Sequence, residues 1–483
     1  MAKTYYTFRI KLANDQLVRV EKWDEQHQSK GEPSRPFRYQ EKLEQITPLL
    51  QPALTNKLNN SQQARQLGEA LFEAIFDEVL RIEFINFYQE AVRDKKQLLR
   101  IELDIDEQTM PEVAALPWEF MCLPEYANLG DRWLATDPNL IFSRRRALWH
   151  PAPPIQLEPG EKLRIALTIA SPKDLDTVKY EEVQETLVSL AEEQAESIEL
   201  LPIVNPATPS AIDKLLEQKP HIFHFIGHGR MENEAGEEVG QIALMKKVFN
   251  KALWIDAGFF SELFNRWSPG VVLLQACESG MLSASQAFTG TASKIVQMNI
   301  PVVVAMQYEV SNMTASQFAY EFYERLAKGE PVDLAAQNGR RTIGLETQYR
   351  KRDFATPVVF MRVTDGYLFE RQGEEVEFRK ANDQPTDKKN TQNIKIIDQH
   401  QEVNQQGKYN INAGAGSTVH QHYGVPVESQ ADKRLSKSNR KPVTQDSTQI
   451  IQNVKQQGEK NVTFEQASNF RIGDDYYESE ESR

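Results

Sequence analysis

Cysteine is nearly absent from this chain, with two, Cys122 and Cys277, among 483 residues. Two thiols exclude a disulfide framework as the device that organises the fold, and they fit a reducing, cytoplasmic compartment. With eight scattered histidines they form no structural zinc pattern, and neither a metal nor a cofactor is expected. Positive charge is in deficit too: 56 Lys and Arg stand against 69 Asp and Glu, a net charge of −13. A general nucleic-acid surface needs the opposite balance, so no direct nucleic-acid binding is expected. No apolar run reaches the length of a membrane span, and the opening MAKTYYTFRI lacks the apolar core of a secretory signal. Phosphate-cradling motifs are missing as well. There is no G-x-x-x-x-G-K-[ST] and no G-x-G-x-x-G after a strand, which argues against a nucleotide-dependent enzyme.

What the chain does contain falls into three segments. In residues 1–150, YYTFRIKL (5–12) and QLLRIELDI (97–105) alternate as strands do. Residues 64–88 carry the period of one long helix, with Leu67, Leu71, Ile75 and Leu80 near one face. LPWEFM (116–121) offers Trp118 for packing, and the basic run SRRRA (143–147) reads as a solvated strand end. HPAPPIQLEPGEKL (150–163) holds four prolines and marks a boundary. From 163 to 372 strand and helix signals alternate: strands at 163–170, 197–204, 221–226, 271–276, 301–306 and 356–363, helices at 180–193, 209–218, 283–297, 314–329 and 331–343. The almost wholly apolar VVLLQA (271–276) suits a strand covered on both faces. This predicts an α/β domain around a mainly parallel sheet flanked by helices.

Residues 373–483 turn polar. Within this tail, VNQQGKYNINAGAGSTVHQ (403–421) aligns with VKQQGEKNVTFEQASNFRI (454–472) at an offset of 51 residues, separated by linker-like sequence. Each unit is too short to bury much alone. A partly disordered tail with strand-like units that pair with another chain is the expectation.

Chemistry gathers at two strand ends. HIFHFI stops at Gly227-His228-Gly229, and VVLLQA stops at Cys277-Glu278-Ser279-Gly280. In an open parallel sheet the carboxyl ends of the strands form the site. A thiol needs a base to become the nucleophilic thiolate, and an imidazole can take that proton and return it to a leaving amine. Backbone N–H groups of Gly229 and Cys277 are candidates for holding an oxyanion. His224 shares the strand parity of His228 and reads as a buried, satisfied histidine beneath the site.

The stretches IALTIASPKDL (165–175), FHFIGHG (223–229), LLQACESG (273–280) and PVVVAMQYEVS (301–311), with LPWEFM and FSRR upstream, resemble a CHAT domain, a caspase-like cysteine peptidase domain related to caspases and separase. The resemblance covers roughly residues 95–370. It implies His228 as general base and Cys277 as nucleophile, and it implies that residues 1–150 pack on the peptidase sheet as a degenerate half. By the same resemblance the first substrate pocket draws on Asp174 or Asp176 and on Gln307 or Glu309, so an acidic pocket would favour Arg or Lys before the cut. Such an enzyme cuts a partner protein and is gated by an activating sensor that docks on the tail, as in bacterial antiphage or programmed-death systems. The stretch at 229–256, with RMENEAGEEVG, is expected as a loop that orders on activation. The alternative is a catalytically silent scaffold that recruits partners through its tail.

Overall fold

Period-2 apolar patterning and buried strands lead to one large sheet covered by helices on both faces. The structure is a computed structural model. It describes residues 5–371 apart from 59–60, 125–131, 146–150, 235–236, 277–282, 298–299, 309, 350–351 and 364–365. Contacts divide the chain after Gln384, and the unit from Pro385 to Arg483, with both tail repeats, lies outside the described residues.

The first segment supplies β1 (Tyr6–Leu12), β2 (Leu17–Trp23), β3 (Ser34–Pro36) and β4 (Leu99–Ile105), then a small separate pair, β5 (Cys122–Leu123) with β6 (Arg132–Trp133), and finally β7 (Leu140–Arg145). The proline-rich connection carries β8 (Ile155–Leu157). Then follow β9 (Leu163–Ile169), β10 (Ile198–Leu200), β11 (Ile222–Glu234), β12 (Glu237–Met245), β13 (Ala252–Asp256), β14 (Val271–Ala276), β15 (Val302–Met306), β16 (Pro357–Met361) and β17 (Phe369–Arg371), which pairs with β8. The main sheet runs β10-β9-β11-β14-β15-β16-β7-β4-β1-β2-β3, with β12 and β13 branching from the far end of β11. Pairing is parallel from β10 to β15 and again from β16 through β7 and β4 to β1. It is antiparallel between β15 and β16 and across β1, β2 and β3. The expected α/β class with a mainly parallel sheet is the one observed, and strands from both sides of the 150–163 connection belong to the same sheet.

Alternation sorts the core. Val271, Leu273, Val302 and Val304 face one apolar layer, which includes Leu187 and Leu190 of the helix Glu181–Glu193 and Phe322 and Tyr323 of the helix Asn312–Ala327. Val272, Leu274, Val303 and Ala305 face the other, with Phe223, Phe225, Phe260 and Phe264. Each such Val or Leu, fully removed from water, is worth roughly 1.5–3 kcal/mol. Among the described residues no helix is long and apolar enough to cross a membrane.

Three expectations are corrected here. The helix expected over 64–88 is two, Ser61–Ile75 and Glu78–Tyr88, because Asp77 intervenes as an N-cap whose carboxylate accepts from Leu80 N. The loop expected within 229–256, RMENEAGEEVG, is strand where it is described. The described part of 229–256 is the end of β11, then β12 and β13, an antiparallel meander. The basic run at 143–147 is not solvated where it is described. Arg144 and Arg145 lie in β7 and are buried, at 3% and 8% exposure. Arg144 meets Glu119 through two hydrogen bonds, at 2.9 and 2.6 Å, and also donates to the carbonyls of Ala114 and Leu116. Arg145 reaches Glu102 at 3.2 Å, which Arg9 holds from the other side at 2.6 Å. Burial works against the Glu102 charge, but Arg145 and Arg9 outweigh it and keep the carboxyl below its usual range.

These charges lie at the join between the two halves of the sheet. There β16 and β7 share only two register pairs, Phe360↔Arg144 and Met361↔Arg145. Across the same join Arg340 donates to the carbonyls of Pro357 and Phe142, and Arg100 pairs with Asp333 at 2.7 Å, both fully buried. Removing one partner of such a pair strands a buried charge. Glu119→Leu is therefore expected to cost about 3–5 kcal/mol, read as a lower urea midpoint. Arg266→Ala, which opens an exposed pair with Asp213, should leave the midpoint unchanged.

Candidate active site

Strand β11 is longer than its neighbours, and that difference builds the site. Its first residues, Ile222–Ile226, pair with β9 on one side, and Ile222–Gly227 pair with β14 on the other. β9 ends at Ile169 and β14 at Ala276, while β11 continues and takes β12 as its partner from His228↔Ala243 onward. His228 is thus the first residue beyond the carboxyl ends of the parallel strands beside it, where sites in open parallel sheets form. The expected Gly-His-Gly turn is a continuous strand. Gly227 is needed for space, because a Cβ there would come within 2.7 Å of the Phe225 ring.

The His228 ring is almost fully buried, at 1% exposure. Its Nε2 lies 2.8 Å from the main-chain oxygen of Asp176. A carbonyl only accepts, so Nε2 carries the proton and Nδ1 is the bare nitrogen. That Nδ1 is buried and has no hydrogen-bond partner among the described residues. Burial lowers the His228 pKa, and the bond to Asp176 opposes the shift without cancelling it. The ring is neutral at physiological pH, with its basic lone pair unspent.

Asp176 sits in the loop after β9, which is tied down at several points. Ser171 Oγ accepts from Val178 N, Lys173 N donates to Asn250 O, and Asp174 Oδ1 accepts from Ala252 N at 2.8 Å. The side chains of Asp174 and Asp176 are exposed. Gln307, at the end of β15, is buried and turned inward. Its amide donates to Glu119 at 2.9 Å and to the carbonyl of Ala355. Gly229 is in β11 opposite Ile242. Cys277 and Glu309 lie outside the described residues. In the chain Cys277 directly follows Ala276, whose register partner Gly227 directly precedes His228.

Beneath His228, His224 is fully enclosed and satisfied at both ring nitrogens. Nε2 lies 3.0 Å from Gln275 Oε1, and Nδ1 lies 3.1 Å from the Tyr323 hydroxyl. This chain joins the helix Asn312–Ala327, β11 and β14 two residues before Cys277. Gln275 and Tyr323 were not singled out by the sequence reading, since a polar residue closing an apolar strand and a tyrosine on a helix look ordinary in one dimension. The Asp176 carbonyl carries no residue-type signal at all. Cys122 is buried in the first segment, and no group of three His, Cys, Asp or Glu among the described residues is placed to hold a metal ion.

The fold agrees with the family comparison. The CHAT domain model matches residues 62–385, more than half of the chain, and the protein belongs to the CHAT domain family. No curated protein matches the sequence. Among solved structures it is similar to the Arg-specific cysteine proteinase gingipain R, RgpB, at 12% identity and TM-score 0.36, over 62% of this chain and 70% of that one. It is also similar to the complex of the Porphyromonas gingivalis RgpB pro- and mature domains, at 12% identity and TM-score 0.37, over 65% and 76%.

Burial pushes the His224 pKa down to about 4, although Gln275 opposes the shift. Unfolded, a histidine titrates near 6.5. The unfolded chain therefore binds a proton that the folded one refuses. The His224 contribution to stability is complete above about pH 6.5 and is lost as pH falls toward 4, at up to about 1.4 kcal/mol per pH unit. In His224→Asn, the slope of unfolding free energy against pH should be shallower by about 1 kcal/mol per unit in that window, measured by urea titration at several pH values.

Proposed function

We propose that this chain is a cysteine endopeptidase in which Cys277 attacks the scissile carbonyl and His228 moves the proton. The observation that carries the reading is the state of the His228 ring. Nε2–H is held by the Asp176 carbonyl, and Nδ1 is left buried, neutral and without a partner among the described residues, at the carboxyl end of a parallel sheet. A satisfied structural histidine spends both nitrogens, as His224 does. A general base keeps one free.

In the proposed reaction Nδ1 takes the Cys277 thiol proton, and the thiolate adds to the peptide carbonyl carbon. The oxygen of the tetrahedral intermediate accepts from the backbone N–H groups of Gly229 and Cys277, each such donor being worth roughly 3–4 kcal/mol in the transition state. As the C–N bond breaks, the imidazolium gives its proton to the leaving amine. Water, deprotonated by the same nitrogen, then hydrolyses the thioester and frees the thiol. The hydrogen bond from Nε2–H to Asp176 orients the ring throughout and favours its charged form while that form exists.

Membership of the CHAT family supports a peptidase-type hydrolase. Exposed Asp174 and Asp176 beside the site support a basic residue before the cut, whereas the Gln307 amide is already engaged with Glu119. We place the enzyme in a gated bacterial defence or programmed-death role, with a sensor acting through the tail and a protein as substrate.

Cys277→Ala and His228→Ala should each reduce cleavage of a fluorogenic peptide panel by about a thousandfold or more, with unchanged circular dichroism. The panel should prefer Arg or Lys before the cut. A peptidyl acyloxymethyl ketone should label Cys277 and spare buried Cys122. Equal labelling of the two thiols, or cleavage that survives in Cys277→Ala, would return the chain to a silent scaffold.

A further inference from the structure

Between β12 and β13 the chain reverses through Lys246-Lys247-Val248-Phe249-Asn250-Lys251, closed by Lys246 N donating to Lys251 O at 2.8 Å. Phe249 is 81% exposed and Val248 60%. Phe249 has φ +74° and Asn250 φ +50°. Asparagine tolerates that region, but a bulky aromatic does so at a cost of order 1–3 kcal/mol, and this ring recovers almost nothing by burial. Glycine would make the same turn without strain. Lys246, Lys247 and Lys251 of the turn, and Lys173, whose main chain bonds to Asn250, are all exposed, and none has an ion-pair partner among the described residues. The tip is therefore a local cationic patch with an apolar knob at its centre, on a chain of net charge −13.

The tip is also wired to the site. Asn250 O accepts from Lys173 N, and Ala252 N donates to Asp174, so the C-terminal end of the turn holds the loop whose Asp176 carbonyl holds His228. We propose that the 246–251 tip docks an acidic segment of a partner protein, which buries Phe249 and Val248 in an apolar contact, and that docking stiffens residues 173–176 and with them the His228 ring.

Charge selects the class of partner. Four exposed lysines want carboxylates, and an aromatic with an aliphatic neighbour wants an apolar pocket, the anchor-and-rim pattern of protein interfaces. A single-stranded nucleic acid would use successive stacking faces along a basic groove, whereas one ring stands here. The proposal goes beyond the peptidase reading and is read by binding and hydrogen exchange without any peptidase assay, so its failure and the failure of that reading are separate results.

The test uses the full chain and a fluorescein-labelled peptide alternating Glu-Glu with Leu, followed by fluorescence anisotropy at low and high salt. The wild type should bind with an affinity that falls as salt rises. Phe249→Ala should weaken binding about tenfold, and Lys246→Glu/Lys247→Glu/Lys251→Glu about a hundredfold or more. No binding, equal affinity in the variants, or displacement of the peptide by an oligonucleotide of equal charge at lower concentration would overturn the docking surface. Amide hydrogen exchange over 171–178 should slow in the peptide complex of the wild type. Unchanged exchange in a saturated complex would overturn the coupling to His228.

Discussion

Glu119 is the point on which the two halves of the sheet lean. It is a fully buried carboxylate in a short 3-10 turn, held by Arg144 of β7 through two hydrogen bonds and by the Gln307 amide at the end of β15. Main-chain pairing at the join is short, with two register pairs between β16 and β7, too few to align two multistranded sheets. Side chains take over that task. Arg144, Arg145, Arg100 and Arg340 each end on a carboxylate or carbonyl contributed by a different stretch of chain. A buried ion pair of this kind adds little net stability over an apolar substitute, but it tolerates only one geometry. It specifies the alignment of the halves, and that alignment fixes the end of β15 near the carboxyl edge of the sheet.

The site depends on a different asymmetry, that of strand length. Because β11 outlasts β9 and β14, it carries His228 out of the shared ladder and into a second set of hydrogen bonds with β12. The imidazole is then gripped from a loop that belongs to neither strand. One histidine lower down is saturated, and the one at the rim keeps a nitrogen in reserve. The same strand thus carries one imidazole bonded at both nitrogens and one bonded at a single nitrogen, on either side of Ile226.

Much of this was legible in one dimension. The apolar strands 271–276 and 301–306 and the helices near 181–193 and 312–327 follow from periodicity, whereas glycine flanking suggests a strand end at His228 where β11 in fact runs on. What escaped the reading did so for identifiable reasons. SRRRA looks solvated because nothing in its own sequence says that Glu119 and Glu102 come to meet it. The break at Asp77 hides inside a helical period that continues on both sides. The branch strands β12 and β13 are polar and glycine-bearing, and their pairing is a property of the extended β11. A main-chain carbonyl as the partner of His228 has no letter in the sequence. Cys277 and the tail repeats are the parts for which sequence remains the source.

That last contact has an evolutionary consequence. Because Asp176 offers its backbone oxygen, any residue able to follow the same path through the loop could supply that bond, although the Asp176 carboxylate separately favours the charged imidazole. A substitution at position 176 changes the charge beside the site and keeps the acceptor, whereas a deletion between Ser171 and Val178 moves the acceptor itself. The hydrogen bond to the imidazole is thus preserved by the spacing of the loop, whatever the side chain at 176 does.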